Sequence, residues 1–152
     1  MIAVVQRVTA ASVSVGDEVV GRIGRGLAVL LAVHETDAAG DVEFVAMKLA
    51  GLRVFPNGDK GFDLDVAQIG GGILLVSNFT VAADTRKGRR PSFDAAAKPE
   101  KGRELFDAVV ARLRQAGVPV ETGQFGADML VAIKNDGPVT VIVTSPSGAT
   151  TV

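Results

Sequence analysis

The chain has 152 residues, of which 47% are hydrophobic and 22% are charged, and this composition is typical of one folded domain spanning residues 1–152. Its formal net charge of -1 excludes a generally basic nucleic-acid binder, although it allows a local cluster of cations. The chain has no cysteine and a single histidine, His34. Disulfides, thiol catalysis and metal sites built from cysteine or several histidines are therefore excluded.

The sequence has neither the pattern of a membrane span nor that of a signal peptide. Its longest apolar run, Leu27 to Val33, is much shorter than the roughly 20 residues that cross a bilayer. Gln6 and Arg7 interrupt the apolar start of the chain after a few residues. We therefore expect no membrane contact, and we expect the protein to be cytoplasmic.

Seven segments predict strands, because they are rich in β-branched or apolar residues and are bounded by polar or glycine-rich turns. Gly16-Asp17 predicts a hairpin turn between the first two, and the third, apolar throughout, is expected at the centre of a sheet. A polar loop is expected at 56–61 and a frayed tail at 145–152. The predicted strands span 2–15, 18–23, 24–33, 73–81, 118–125, 129–135 and 139–144.

Two segments predict helices, because their apolar residues recur at the spacing of one helical face. The first lies between Asp37 and Arg53, with Asp37 as the expected N-cap, and the second begins near Pro99 and ends near Gly117. Two amphipathic helices and seven to eight strands predict an α/β domain. We expect a three-layer sandwich of helix, sheet and sheet, with barrel-like mixed sheets.

Three candidate sites have simpler interpretations. His34 follows a predicted strand and could serve a catalytic triad, but no G-x-S-x-G segment accompanies it, so a strand-end histidine is favoured. The glycines between Gly21 and Gly26 lie between two strands rather than at the start of a helix, which excludes a dinucleotide site. Asp63 and Asp65 alternate and could hold magnesium, although two solvated carboxylates are favoured.

A basic loop follows the fourth predicted strand. Between Asp84 and Arg90 it has one acidic and four basic residues, which suit phosphate binding because guanidinium forks and an ammonium both pair with phosphate. A solvated surface loop explains the same composition. The chain has no tryptophan or tyrosine, so an extended base-stacking surface is not expected. The four basic residues are Arg86, Lys87, Arg89 and Arg90.

Two polar segments stand out. Ser77-Asn78-Phe79-Thr80 places three polar residues at the end of an apolar strand, where a buried strand normally has none. Asn135-Asp136-Gly137-Pro138 has the composition of a hairpin turn, but its Gly-Pro pair can also adopt the cis peptide. Neither segment alone decides a function.

Together these residues resemble the D-aminoacyl-tRNA deacylase family, nearly from end to end. The segments at 77–81 and 135–140 correspond to its two signature motifs, and their joint occurrence in this order is specific. Asn78 departs from the family, which usually has glutamine there, and so shortens the side chain by one methylene. The similar segments are AVVQRV (3–8), SNFTV (77–81), ADTRKGRRPSF (83–93), GVPVETGQFGADM (117–129) and NDGPVT (135–140).

The resemblance implies hydrolysis of the ester that joins a D-amino acid or glycine to the 3'-terminal adenosine of tRNA, with L-amino acids refused. It implies a homodimer with a pocket at the subunit interface, no metal or organic cofactor, and no DNA partner. Ser77, Asn78, Phe79 and Thr80 line that pocket, and Phe125 and Met129 lie near the adenosine. Gly137-Pro138 enters as a cis dipeptide from the partner subunit, and Arg7 holds it in place.

The residues present agree with such chemistry. Backbone N–H groups near Phe79 and Thr80 can stabilise an oxyanion without a histidine. The Thr80 hydroxyl has no visible general base, so we expect it to position the substrate while the substrate's ribose hydroxyl assists attack by water. Two other functions fit the same residues: a non-catalytic module that binds RNA ends or nucleotides, and a deacylase of small ester or N-acyl metabolites.

Overall fold

A computed structural model describes residues 1–147, in which eight strands and two helices are present. The predicted numbers of strands and helices are therefore confirmed. A 3-10 turn, Phe79–Ala82, follows the sixth strand. The strands are β1 Ile2–Val15, β2 Glu18–Ile23, β3 Gly26–Ala32, β4 Phe55–Asn57, β5 Lys60–Leu64, β6 Gly72–Ser77, β7 Val120–Thr122 and β8 Leu130–Thr144, and the helices are α1 Ala39–Gly51 and α2 Pro99–Gln115.

Six strands form one mixed sheet in the order β2-β1-β3-β6-β7, with β8 also paired to β1. β1 is antiparallel to β2, β3 and β8, whereas β6 is parallel to β3 and β7. β2 also approaches β7 closely: a Cβ on Gly21 would lie 2.5 Å from the Thr122 carbonyl oxygen. The sheet is therefore curled and nearly closed, like a barrel, as expected.

The core has two parts, one on each side of this sheet. The larger lies under the helices, where Leu49 of α1 and Leu113 of α2 pack with Leu27 and Leu31 of β3, and all four are buried. The smaller lies inside the curled sheet and includes Val13 and Leu74. Helix, sheet and sheet thus form the predicted three layers.

The start of α1 differs from the prediction, because Asp37 does not cap it. Its carboxylate accepts hydrogen bonds from the Met1 amino group and from the His34 N–H, both over 2.6 Å. Asp41 serves the helix start instead, accepting from the Ala38 N–H over 2.9 Å. Asp37 is buried and neutralises the Met1 ammonium, a partner that is distant in sequence.

Ser145 is anchored rather than part of a frayed tail. It is fully buried, and its hydroxyl accepts a hydrogen bond from the Met1 amino group over 2.7 Å. Burial alone would raise the pKa of Asp41, but hydrogen bonds from Ser145, Ala38 and Ser147 lower it to about 2. The predicted tail was therefore wrong at Ser145, and its last part, 148–152, lies outside the described residues.

Three further boundaries differ from the sequence patterns. The strand predicted over 73–81 ends at Ser77, where the 3-10 turn begins. The polar loop predicted at 56–61 is the tip of the β4–β5 hairpin, where Gly58 has a φ of 57°. The two strands predicted in 129–144 are the single strand β8.

No helix in the described part of the chain is long and apolar enough to span a membrane.

Candidate active site

A cavity of about 760 Å³ opens at the carboxyl end of β6, between the 3-10 turn and the segment that leads into β8. This is an edge of the sheet where parallel strands commonly present ligand-binding groups. The cavity contains six of the residues that the sequence singled out. These residues are Ser77, Asn78, Phe79, Thr80, Phe125 and Met129.

The 3-10 turn is held by Asn78. The Asn78 side-chain oxygen accepts hydrogen bonds from the Thr80 N–H over 3.2 Å and from the Thr80 hydroxyl over 2.6 Å. The Asn78 N–H donates to the Leu31 carbonyl of β3 over 2.9 Å, which ties the turn to the sheet. Asparagine therefore performs a capping role here that explains why β6 ends at this point.

The backbone amide of Phe79 is the first N–H group of the turn. Such an amide has no carbonyl partner within its own helical turn, so it can donate to a ligand. The neighbouring Thr80 amide already donates to Asn78. Of the two backbone donors that the sequence suggested, the Phe79 N–H is therefore the better placed to stabilise an oxyanion in the cavity.

The hydroxyl of Thr80 has a hydrogen-bond partner that cannot act as a base. It donates to the side-chain amide oxygen of Asn78, which does not take up a proton near neutral pH. A threonine hydroxyl needs an adjacent base to become a strong nucleophile. The geometry therefore favours a positioning role for Thr80.

Three aromatic rings line the cavity, those of Phe79, Phe93 and Phe125. Phe79 and Phe93 meet edge to face with their ring centroids 5.2 Å apart. Phe125 also lines the cavity, with its ring centroid 6.2 Å from that of Phe106, and the Arg103 guanidinium lies 5.0 Å from the centre of the Phe125 ring. No role was predicted for Phe93, although it ends the similar segment 83–93.

Gly137 and Pro138 lie in a bulge of β8 rather than in the turn of a hairpin. Gln6 of β1 pairs with Thr140 and Val8 pairs with Asn135, so residues 136–139 face Arg7 alone. The Gly137-Pro138 peptide is cis, and both residues are exposed. They do not line the cavity formed by their own chain.

Arg7 holds this bulge from within the same chain. Its Nε donates to the Asp136 carbonyl over 2.9 Å, and its Nη1 donates to the Val54 carbonyl over 2.7 Å. Asn135 closes the base of the bulge, since its side chain accepts from the Val139 N–H over 2.8 Å and donates to the Val139 carbonyl over 3.1 Å. Arg7 thus contacts the residue that directly precedes the Gly137-Pro138 dipeptide.

The basic loop ends just before Phe93, which lines the cavity. Lys87, Arg89 and Arg90 are exposed, and Arg86 forms an ion pair with Asp84. These four residues lie outside the cavity that contains the Ser77–Thr80 segment. The structure therefore separates the predicted phosphate-binding residues from the predicted reaction site, although the two are adjacent along the chain.

The other candidates from the sequence take structural roles. His34 is buried, and burial together with the nearby Met1 ammonium lowers its pKa. The Asp63 carboxylate accepts from Arg53 over 2.7 Å and from Asn57 over 2.9 Å. Asp65 accepts from the Gln68 N–H over 2.9 Å. Within residues 1–147, no group of three or more acidic or histidine side chains is arranged to hold a metal ion.

Comparison with known proteins identifies the family. The model of the D-Tyr-tRNA(Tyr) deacylase family matches residues 4–144. The chain belongs to this family. A D-aminoacyl-tRNA deacylase of Chloroflexus aurantiacus is 56% identical over 145 residues, which cover 95% of this chain and 91% of that protein. A D-aminoacyl-tRNA deacylase of Methylococcus capsulatus is 53% identical over 146 residues, which cover 96% and 95% of the two chains.

Solved structures share the fold of this family member. A protein described as c-Myc DNA Unwinding Element Binding Protein superposes with a TM-score of 0.92 at 40% identity, covering 96% of this chain and 99% of that chain. A probable eukaryotic D-amino acid tRNA deacylase superposes with a TM-score of 0.81 at 20% identity, covering 93% and 97%. The predicted fold is therefore confirmed by both the strands of this chain and its structural neighbours.

Proposed function

We propose that this protein is a D-aminoacyl-tRNA deacylase, which hydrolyses the ester between a D-amino acid and the 3'-terminal adenosine of tRNA. The family match and the identities of the curated relatives support this proposal. The structural observation that supports it most directly is that the Ser77–Thr80 segment and the segment with Phe125 and Met129 line the same cavity. Its volume of about 760 Å³ lies within the usual range for small-molecule sites.

The proposed reaction uses water as the nucleophile. Water adds to the ester carbonyl, the bond to the ribose oxygen breaks, and that oxygen takes up a proton. The Phe79 N–H stabilises the oxyanion that forms on the carbonyl oxygen. The substrate's free ribose hydroxyl assists the attack, while Thr80 positions the ester, because its hydroxyl is bonded to an amide rather than to a base.

Discrimination between substrates is proposed to come from a second copy of the chain. In this proposal the protein is a homodimer, and Gly137-Pro138 of each subunit enters the cavity of its partner. The dipeptide would leave no space for an L side chain while accepting D-amino acids and glycine. Two observations support this: both residues are exposed, and they are absent from the cavity of their own chain.

The rest of the tRNA is proposed to bind outside the cavity. The adenosine lies against Phe125 and Met129, and the loop that carries Arg86, Lys87, Arg89 and Arg90 contacts backbone phosphates. The local positive charge of this loop on a nearly neutral chain supports that role. A protein with this substrate acts where charged tRNA is used, which we propose to be the cytoplasm.

Release of the amino acid tests the proposed activity directly. We expect the protein to release free D-tyrosine from D-tyrosyl-tRNA with multiple turnovers and to leave intact tRNA. The alternative, a non-catalytic module that binds RNA ends, predicts protection of the ester from spontaneous hydrolysis. Slower release of D-tyrosine in the presence of the protein would contradict a deacylase and support that module.

A further inference from the structure

The basic loop is closed at its base by two backbone hydrogen bonds. The Asp84 N–H donates to the Ser92 carbonyl over 2.8 Å, and the Ser92 N–H donates to the Asp84 carbonyl over 2.9 Å. The Ser92 hydroxyl also donates to the Asp94 carboxylate over 2.7 Å. Residues 85–91 therefore project from a defined base.

The Asp84 carboxylate also pairs with the first cation of the loop. Nε and Nη2 of Arg86 donate to its two oxygens over 2.9 and 2.7 Å, and the Arg86 N–H donates to the same carboxylate over 3.0 Å. These hydrogen bonds from Arg86 hold the pKa of Asp84 below its usual range. The carboxylate is therefore ionised at neutral pH, and the pair has no net charge.

This pairing occupies one of the two edges with which Arg86 can bind a phosphate, the edge formed by Nε and Nη2. A guanidinium binds carboxylate and phosphate with the same bidentate fork. To bind a phosphate through that edge, Arg86 would have to leave Asp84. A phosphate on the remaining Nη1–Nη2 edge would be a second anion beside a cation that Asp84 already neutralises. The other three cations form no ion pair or side-chain hydrogen bond with any part of residues 1–147. These three cations are Lys87, Arg89 and Arg90.

The base of the loop is continuous with the wall of the cavity. Phe93 directly follows Ser92, and its ring meets the Phe79 ring with centroids 5.2 Å apart. Both rings line the cavity. The hydrogen bonds between Asp84 and Ser92 therefore also fix the direction in which the loop extends from the cavity wall.

We propose that Asp84 is a positioning residue for the tRNA. Its carboxylate withdraws Arg86 from phosphate binding, and its backbone fixes the loop beside Phe93. The tRNA phosphates are then contacted by Lys87, Arg89 and Arg90. This inference rests on the proposed function, because it specifies which groups of the loop meet the proposed substrate.

The four cations can be distinguished by the salt dependence with which their variants bind tRNA that carries no amino acid. Each lost phosphate contact flattens the slope of log affinity against log salt by about 0.9 in a duplex or about 0.7 in a single strand. Measured between about 50 and 200 mM salt, the slope should flatten in K87Q, R89Q and R90Q. In R86Q it should remain that of the unmodified protein.

A double-mutant cycle tests Asp84 itself. D84N should release Arg86, add about one phosphate contact and steepen the slope by a similar amount. R86Q in the D84N background should remove this gain. D17N, in the exposed turn between β1 and β2, is the matched control, because it changes the net charge equally but should leave the slope unchanged.

The outcomes distinguish this inference from the proposed function. If R86Q flattens the slope as much as R89Q, Arg86 binds phosphate and the role given to Asp84 is wrong, while the loop still contacts tRNA. If K87Q, R89Q and R90Q all leave the slope unchanged, the loop does not contact tRNA and the role of Asp84 is overturned with it. Equal slopes in D84N and D17N would also contradict the inference.

Discussion

Arg7 Nε donates a hydrogen bond over 2.9 Å to the Asp136 carbonyl, directly before the exposed Gly137-Pro138 dipeptide. The same guanidinium donates to the Val54 carbonyl at the start of the β4–β5 hairpin over 2.7 Å. Arg7 is largely buried, so the bulge is held from the inside while Gly137 and Pro138 at its tip are exposed. This arrangement is compatible with the proposed entry of the dipeptide into the cavity of a second copy of the chain.

Gly137→Ala should disrupt the bulge. Gly137 has a φ of 146°, and an added Cβ would lie 2.6 Å from Val139 Cγ2 and 2.8 Å from the Val139 nitrogen. Residues that have a side chain rarely adopt this backbone conformation, so residues 136–139 should shift. Hydrolysis of D-tyrosyl-tRNA should then fall at least tenfold. Gly24→Ala is the matched control, because nothing lies within 4 Å of its Cβ position and its φ is ordinary.

Mixing variants tests whether the dipeptide acts in the partner subunit. Gly137→Ala should regain part of its activity when mixed with a variant that is defective only in the cavity, such as Phe79→Pro. One of the two cavities in a mixed dimer then has an intact turn and faces an intact dipeptide. If activity does not recover although mixed dimers form, the dipeptide does not act across the interface.

Phe79→Pro should remove the proposed oxyanion donor while preserving the turn. Proline lacks the N–H group, and it is well tolerated at the first position of a helical turn. The extended backbone of Asn78 is also compatible with a following proline. Loss of one oxyanion donor typically lowers kcat by about 10² to 10³. Phe79→Ala, which keeps the amide, should retain much more activity; equal losses in both variants would show that the ring rather than the amide is needed.

Thr80→Ala should retain substantial activity, because the Thr80 hydroxyl has an amide partner and no base. We expect kcat within about tenfold of the unmodified protein, since only positioning is lost. By contrast, D-tyrosyl-tRNA that lacks the terminal 2'-hydroxyl should react slowly with either protein. Detection of an aminoacyl ester on Thr80 by mass spectrometry would overturn this assignment.

Asp41 should make stability depend on pH in the acid range. Its pKa is about 2 in the folded protein, below the ordinary value of 3.8, so its stabilisation is complete above pH 3.8 and is lost as the pH falls through about 2. Asp41→Asn should lower the free energy of unfolding by about 1 to 3 kcal/mol near neutral pH. In denaturant titrations this difference should shrink as the pH approaches 2, and a constant difference would contradict the prediction.

Local patterns predicted most elements of the fold. The alternation in 2–15 and 18–23 around Gly16-Asp17 matches β1 and β2, and the apolar run that contains β3 is buried as expected. Errors arose where a distant partner decides the structure. Gly137-Pro138 has the composition of a turn, yet pairing with β1, more than a hundred residues earlier, keeps β8 continuous on both sides of it.

The candidate site was less accessible to sequence reasoning than the fold. The motif resemblance identified the residues of the turn, but the two hydrogen bonds from Thr80 to Asn78 depend on the turn geometry that ends β6. The position of Phe93 opposite Phe79 likewise depends on how the basic loop folds back through Asp84 and Ser92. The composition shows how many cations the loop has, but it does not show that Arg86 forms an ion pair.

Chirality is the most direct test of the central claim. One tRNA should be charged in turn with D-tyrosine, L-tyrosine and glycine, and the three hydrolysis rates should be compared at equal protein concentration. The proposed function predicts rapid hydrolysis of the D-tyrosyl and glycyl esters and a rate on the L-tyrosyl ester near that of the uncatalysed reaction. Equal rates on D- and L-tyrosyl-tRNA would contradict the account.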